Sequence, residues 1–322
     1  MIYDIENLNG SIITLNNPLS IKISMDEDAP ADSITAKFAI DNDSEYYKTF
    51  ANDQLVKIKV YDVDKSRMIL NGLIDEQIVS VNDKGIILTI VARSTASLLL
   101  DNEAKPQIYN SFNSELLYKR HLKPYGYIGF NNAEDKRYIG IFEVGKGVSE
   151  WQVIEKFCKE FMIRTPRIRP NNTVDFLNEY KESGITFSNK DNKGLFYSSI
   201  EENYKRYKLI SEVFVRSLKD GNYDNRIKDN VSINRGIIRK RYINAVGDNK
   251  SPIFRGTELI KSANRDSFEL KLVYPGEIPI ELFDKVTIDD EIIGKISNLI
   301  AVSINYTLDK LGEKCAITFR KE

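Results

Sequence analysis

The chain has 322 residues, of which 46 are Lys or Arg and 47 are Asp or Glu, for a net charge of −1. That length suits two or three domains with sizeable cores, and the balanced charge excludes a global basic field for nucleic acid. Aromatic residues at 10%, with 17 Tyr and 15 Phe, exclude a disordered chain, and no apolar run approaches the roughly 18 residues that span a bilayer.

The start, Met1 to Glu6, lacks a basic stretch followed by an apolar one, so no signal peptide is expected. From Ser11 to Ile90 the pattern is mainly β. Leu55-Val56-Lys57-Ile58-Lys59-Val60 alternates cleanly, as a strand with one face in core and one in water requires. Asn16-Asn17-Pro18, Asp62 to Ser66 and Asn82 to Gly85 supply turns, and about six short strands at this spacing predict a small barrel or sandwich. The apolar run Ile86 to Val91 closes it as a buried strand. Ser94 is expected to cap a short helix carrying Leu98 to Leu100, and Lys105-Pro106 ends the unit.

Helices enter between Pro106 and Tyr180. Phe112, Leu116 and Leu117 fall at helical spacing in a helix expected over 111–122. Ser149-Glu150-Trp151-Gln152 is a capping box, opening a helix with Trp151, Ile154, Phe157, Cys158 and Phe161 on one face. Pro166 to Ile168 and Thr173 to Leu177 flank Asn171-Asn172 as a hairpin. From Gly184 onward strands return, at 210–215, 237–243 and 268–274, with a short helix expected over 257–262. The end, from Lys285 to Phe319, is strongly β.

The two β regions share an order. Residues 53–91 run as a short strand, a long strand entered through Gly72, a glycine turn and a closing strand; residues 284–319 repeat this, with Gly294 at the entry to the long strand. A duplication of this kind predicts two related barrels in one chain, and a trimer would then present six.

On Ala92 to Asp101 after the first barrel, Gly147 to Ile154 at the helix opening, and Asp284 to Ile288 through Val302 to Tyr306 and Gly312, the chain resembles phage-type tail baseplate hub proteins. These are the late control protein D group of Mu-like phages, the hubs of defective Bacillus prophages and the hubs of contractile bacteriocins. The resemblance rests on order and spacing along nearly the whole chain. It implies a mainly β (α+β) fold with an α/β middle module and two tube-like β-barrel domains, divided as 1–104, 105–182 and 183–322. It implies a non-enzymatic structural protein: a homotrimeric ring between a hexameric tail tube protein and a trimeric central spike protein. The middle module would meet baseplate wedge and other tail proteins, in a particle assembled in the bacterial cytoplasm. No nucleic acid or membrane partner is expected.

The residues themselves offer little for catalysis, and no catalytic, cofactor-binding or metal-binding residue is assigned. His121 is the only histidine; it lies near a predicted helix end, where the dipole favours a cation. Cys158 and Cys315 sit in apolar patterns as reduced core thiols. Gly140 to Gly147 lacks the Gly-Lys-Ser/Thr ending of a phosphate cradle and is a plain turn. The run Arg235 to Arg241 beside Tyr242 is a solvated strand face or a contact between subunits, and Trp151 belongs to the middle core. A carboxylate-based peptidoglycan hydrolase and a carbohydrate-binding adhesin are the alternative readings, since 47 acidic residues leave many pairings open.

Overall fold

Alternation of apolar and polar residues builds the first sheet. The computed structural model describes residues 1–40, 50, 53–83, 85–131, 137–138, 140–162, 166–176, 180–191, 193–216, 221–244 and 252–321. Its contacts divide the chain into two units, one of residues 1–183, 273–284 and 302–317, the other of 184–272, 285–301 and 318–322.

The first unit opens with β1 (Ile2–Asn7), β2 (Ile12–Leu15), β3 (Ser20–Asp26), β4 (Ser33–Ile40), β5 (Leu55–Tyr61), β6 (Met68–Asn82) and β7 (Gly85–Ser94). All their pairings are antiparallel: β2 on β1, β1 on β5, β5 on β6, β6 on β7, β7 on β4 and β4 on β3. Every second residue of β4 and β7 is buried. Ile34, Ala36 and Phe38 meet Ala92, Ile90 and Leu88 across the ladder, and Tyr3 packs edge-on against Phe38 at 5.4 Å. At Gly72 a side chain would sit 2.8 Å from the Arg93 carbonyl oxygen, so glycine lets β6 pass close to β7.

A short helix α1 (Ser97–Asp101) follows. Its N-cap is Ala96, without a side-chain cap, so Ser94 does not serve as one. Ser94 ends β7 with its side chain inward, and its Oγ accepts a bond from the Asp32 amide at 3.0 Å. The middle region then adds β8 (Gln107–Tyr109), β9 (Phe112–Asn113), α2 (Ser114–Leu117), a π turn over Tyr118–Leu122, β10 (Gly129–Asn131), β11 (Arg137–Tyr138), β12 (Phe142–Val144), α3 (Glu150–Met162), β13 (Arg167–Ile168) and β14 (Thr173–Asp175). Phe112 is therefore in a strand rather than a helix, because the Asn113 side chain caps the Leu116 amide at 2.9 Å and starts the helix after it. The capping box forms: the Gln152 amide donates to Ser149 Oγ at 3.2 Å and the Ser149 amide to Gln152 Oε1 at 2.8 Å. Trp151, Ile154, Phe157 and Cys158 are buried on α3; the side chain of Phe161 lies outside the described residues. The hairpin around Asn171-Asn172 is β13 on β14, with Leu177 also outside the described residues.

The chain continues through β15 (Glu182–Ser188), β16 (Ser199–Tyr204), β17 (Glu212–Arg216), β18 (Asn225–Lys228), α4 (Asn230–Asn234), β19 (Lys240–Asn244), α5 (Pro252–Asp266), β20 (Phe268–Tyr274), β21 (Lys285–Asp290), β22 (Gly294–Asp309) and β23 (Gly312–Lys321). The helix expected over 257–262 is thus longer at both ends. Residues 303–308 of β22 extend the first sheet by pairing with β3. In the second unit β21 pairs with β15 and with the first half of β22, and Phe187 meets Phe319 at 5.9 Å. The Asp290 carboxylate accepts bonds from the Tyr197 hydroxyl and from the Ile292 and Ile293 amides, which fixes the β21–β22 turn.

The repeated order is visible in the strands. β5, β6 and β7 have 7, 15 and 10 residues, and β21, β22 and β23 have 6, 16 and 10. Both first hairpins carry a register shift, between Val60 and Tyr61 and between Val286 and Ile288.

Candidate interaction surfaces

The motif after β7 is a joint. Arg93 holds two carboxylates: its Nε and Nη2 donate to Asp75 at 2.7 and 2.9 Å, and its Nη1 and Nη2 donate to Asp101 at 3.1 and 2.7 Å. Those hydrogen bonds hold the Asp101 carboxyl below the usual range. The next residue but one, Thr95, donates through Oγ1 to Asn172 Oδ1 at 3.0 Å, and its carbonyl accepts from the Tyr127 hydroxyl at 2.7 Å. Asn71 Nδ2 donates to the Pro170 carbonyl at 2.9 Å. Beneath them Arg167 Nη2 donates to both Asp32 oxygens, and the two residues are only 6% and 5% exposed. Bonds of this kind aim β13 and β14 at the β3–β4 corner within the first unit. A cavity of about 40 Å³ beside the pair is lined by Asp32, Arg67, Arg167, Arg169 and apolar neighbours, room for a few waters.

His121 does not face solvent at its helix end. The π turn carries it into the core, where it is 1% exposed. Its Nδ1 lies 2.6 Å from Glu150 Oε2 and its Nε2 lies 2.9 Å from the Tyr109 hydroxyl, while the Tyr125 hydroxyl donates to Glu150 Oε1 at 3.2 Å. Burial raises both phenols above their ordinary range. A Glu–His–Tyr chain can relay protons, but this one is closed over by Phe112, edge-on to the imidazole at 5.8 Å, and it serves to tie α3 to the π turn.

Both thiols are core groups. Burial pushes the Cys158 thiol well above its ordinary value, and the Cys315 thiol up to about 12. Thiolate is the reactive form, so iodoacetamide at pH 8 is expected to leave both unmodified in the native protein and to label both after denaturation. Mass spectrometry before and after denaturation checks this, and rapid labelling of the native chain would contradict it. Among the described residues no three His, Cys, Asp or Glu side chains converge as a metal site, and no helix is long and apolar enough to cross a membrane.

What the first unit exposes is a sheet face and an edge. The outward residues include Lys22 and Ser24 of β3, Thr35 and Lys37 of β4, Thr89 of β7, and Ser303 and Asn305 of β22, a polar surface of small residues and two lysines. At the end of the strand order lies β2, bonded among the described residues on one side only, to β1, with Ile12 63% exposed. In the second unit the Arg235–Arg241 run leads into β19, the edge of a three-stranded sheet ordered β18-β17-β19. Sequence reasoning missed Asp32, Arg167 and Phe214. Their partners are distant in sequence, and no local signal points to them.

No protein-family model and no curated protein matches the chain. Solved structures do. A tail protein from Neisseria meningitidis aligns with a TM-score of 0.75 at 14% identity, over 99% of this chain and 96% of its own. A tail protein of prophage MuSo2 from Shewanella oneidensis aligns with a TM-score of 0.74 at 14% identity, over 100% and 98%. A component of the E. coli type VI secretion system, which exhibits structural similarity to the T4 bacteriophage tail proteins gp27 and gp5, aligns with a TM-score of 0.54 at 8% identity, over 95% and 74%. With its mainly β architecture and repeated three-strand order, the chain has the fold of these phage-tail proteins.

Proposed function

We propose that the chain is the structural hub of a contractile phage tail or phage-tail-like bacteriocin: a homotrimer that adapts a hexameric tail tube to a trimeric central spike. The observation that carries this reading is the repeat of a short, a long and a closing strand, β5–β7 and β21–β23, in one chain. Three copies then supply six similar elements, which is how a threefold object can match a sixfold one. The domains of this reading are 1–104, 105–182 and 183–322, with the first and last contributing the tube-like barrels and the middle one meeting wedge and other tail proteins.

Its mechanism is geometric. The polar face of β3, β4, β7 and β22, with Lys22 and Lys37 among its serines, threonines and Asn305, lines the channel. The exposed edge of β2 pairs with a neighbouring copy, which removes a row of unpaired backbone groups. The role is structural rather than enzymatic, and the location is the baseplate of the particle. Native mass of the purified chain, alone and with its spike, tests the proposal.

A further inference from the structure

We propose that the open face of the β17–β19 sheet is the surface by which one copy of this chain docks on the acidic first β region of the next copy. This rests on the trimeric reading and names the contact that would close the ring.

The sheet has one covered face. Val213 and Val215 of β17 pack with Ile227, Ile243 and, from α5, Ile260 and Ala263. A side chain at Gly256 would meet Ile227 at 2.5 Å, so glycine permits this close approach. Among the described residues the opposite face is half-buried to exposed, and most of its charges are positive. Register places Lys228 and Lys240 on either side of Glu212, and Arg226 and Tyr242 on either side of Phe214. Arg226, Lys228, Lys240 and Arg216 are all exposed, while Glu212 is already bonded to Arg226 at 2.7 and 3.1 Å.

At the centre Phe214 and Tyr242 stack at 5.0 Å and 14°. Arg226 lies over Phe214 at 5.5 Å, and Tyr223 stands edge-on to Tyr242 at 5.4 Å. The rings are thus engaged with one another and with a guanidinium, unlike a platform of free ring faces for bases. A cluster of Tyr, Phe and Arg ringed by lysines is instead the make-up of a protein-docking centre. The ring edges add to the positive character.

Charge of the opposite sign is carried by the same sequence. Residues 205–244 contain eleven Lys or Arg against four Asp or Glu, whereas residues 1–104 contain nine against seventeen. The chain's net charge of −1 therefore conceals two regions of opposite sign. A basic region docking on an acidic one of the next copy is a head-to-tail contact, and such contacts generate rings when the rotation closes. The field steers association and is screened by salt.

The test mixes isotopically light and heavy chain at low salt, couples carboxylates to lysines with a zero-length carbodiimide, and measures native mass in parallel. Mixed-isotope links from Lys228 or Lys240 to Asp or Glu within 1–104 are expected, in a species of roughly 110 kDa, three times 36.9 kDa. The variant carrying Lys228→Glu and Lys240→Glu, with unchanged far-ultraviolet circular dichroism, is expected to shift to monomer. A variant that stays trimeric with the same salt dependence as the parent would overturn this contact and leave the hub reading standing. A parent chain that is monomeric at every salt concentration, with and without the spike, would overturn both. Binding of labelled oligo(dT) that the variant loses, while trimer is unaffected, would assign the face to nucleic acid and also overturn the proposal.

Discussion

Replacing Arg167 with alanine is expected to destabilise the first unit by about 3–5 kcal/mol, the usual cost of breaking a buried ion pair from one side. The reason is what remains. Asp32 is 5% exposed, and without Arg167 Nη2 on both its oxygens its carboxylate would be left buried with its main partner gone. A double variant with Asp32→Leu and Arg167→Met should lose much less, because removing both charges removes the desolvation penalty as well. Guanidinium unfolding followed by fluorescence checks this: Trp151 is the only tryptophan and is 3% exposed in the middle core. Equal losses in the single and double variants would show that packing, not the pair, is responsible.

Phe112→Ala is expected to cost about 3–5 kcal/mol, as large-to-small changes at aromatic core positions do. Phe112 is fully buried. It stacks on Phe142 at 4.4 Å, lies 4.4 Å from Tyr109 and stands edge-on to Phe157 at 5.4 Å. Its loss also opens space beside His121, whose ring it meets edge-on. Ile141→Ala serves as the control: at 67% exposed, it should change stability by less than about 0.5 kcal/mol. The Trp151 transition should move for Phe112→Ala and not for the control.

The parts of this fold that were legible in the sequence are those whose cause is local. Leu55 to Val60 alternates because one face of β5 is core, and the capping box works because Ser149 and Gln152 are one helical turn apart. The repeated strand order was legible for the same reason, since glycines and turn residues punctuate it. Non-local pairs were not. Asp32 and Arg167 are 135 residues apart, and nothing near either names the other. Ser94 looked like a cap because serine before an apolar run usually is one; the Asp32 amide claims it instead. His121 looked like a helix-end cation because a π turn cannot be read from spacing that also fits an α-helix, and Glu150 is 29 residues away. The basic run ending at Arg241 was visible, but its ring partner Phe214 and its cation Arg226 arrive on other strands.

The proposed hub depends on contact between copies of the chain. The native mass of the chain, measured alone and with its spike, tests this most directly. The account predicts a species of roughly 110 kDa, three times 36.9 kDa, with trimer seen only beside the spike meaning that the spike templates the ring. A single species of 36.9 kDa under both conditions would contradict the hub.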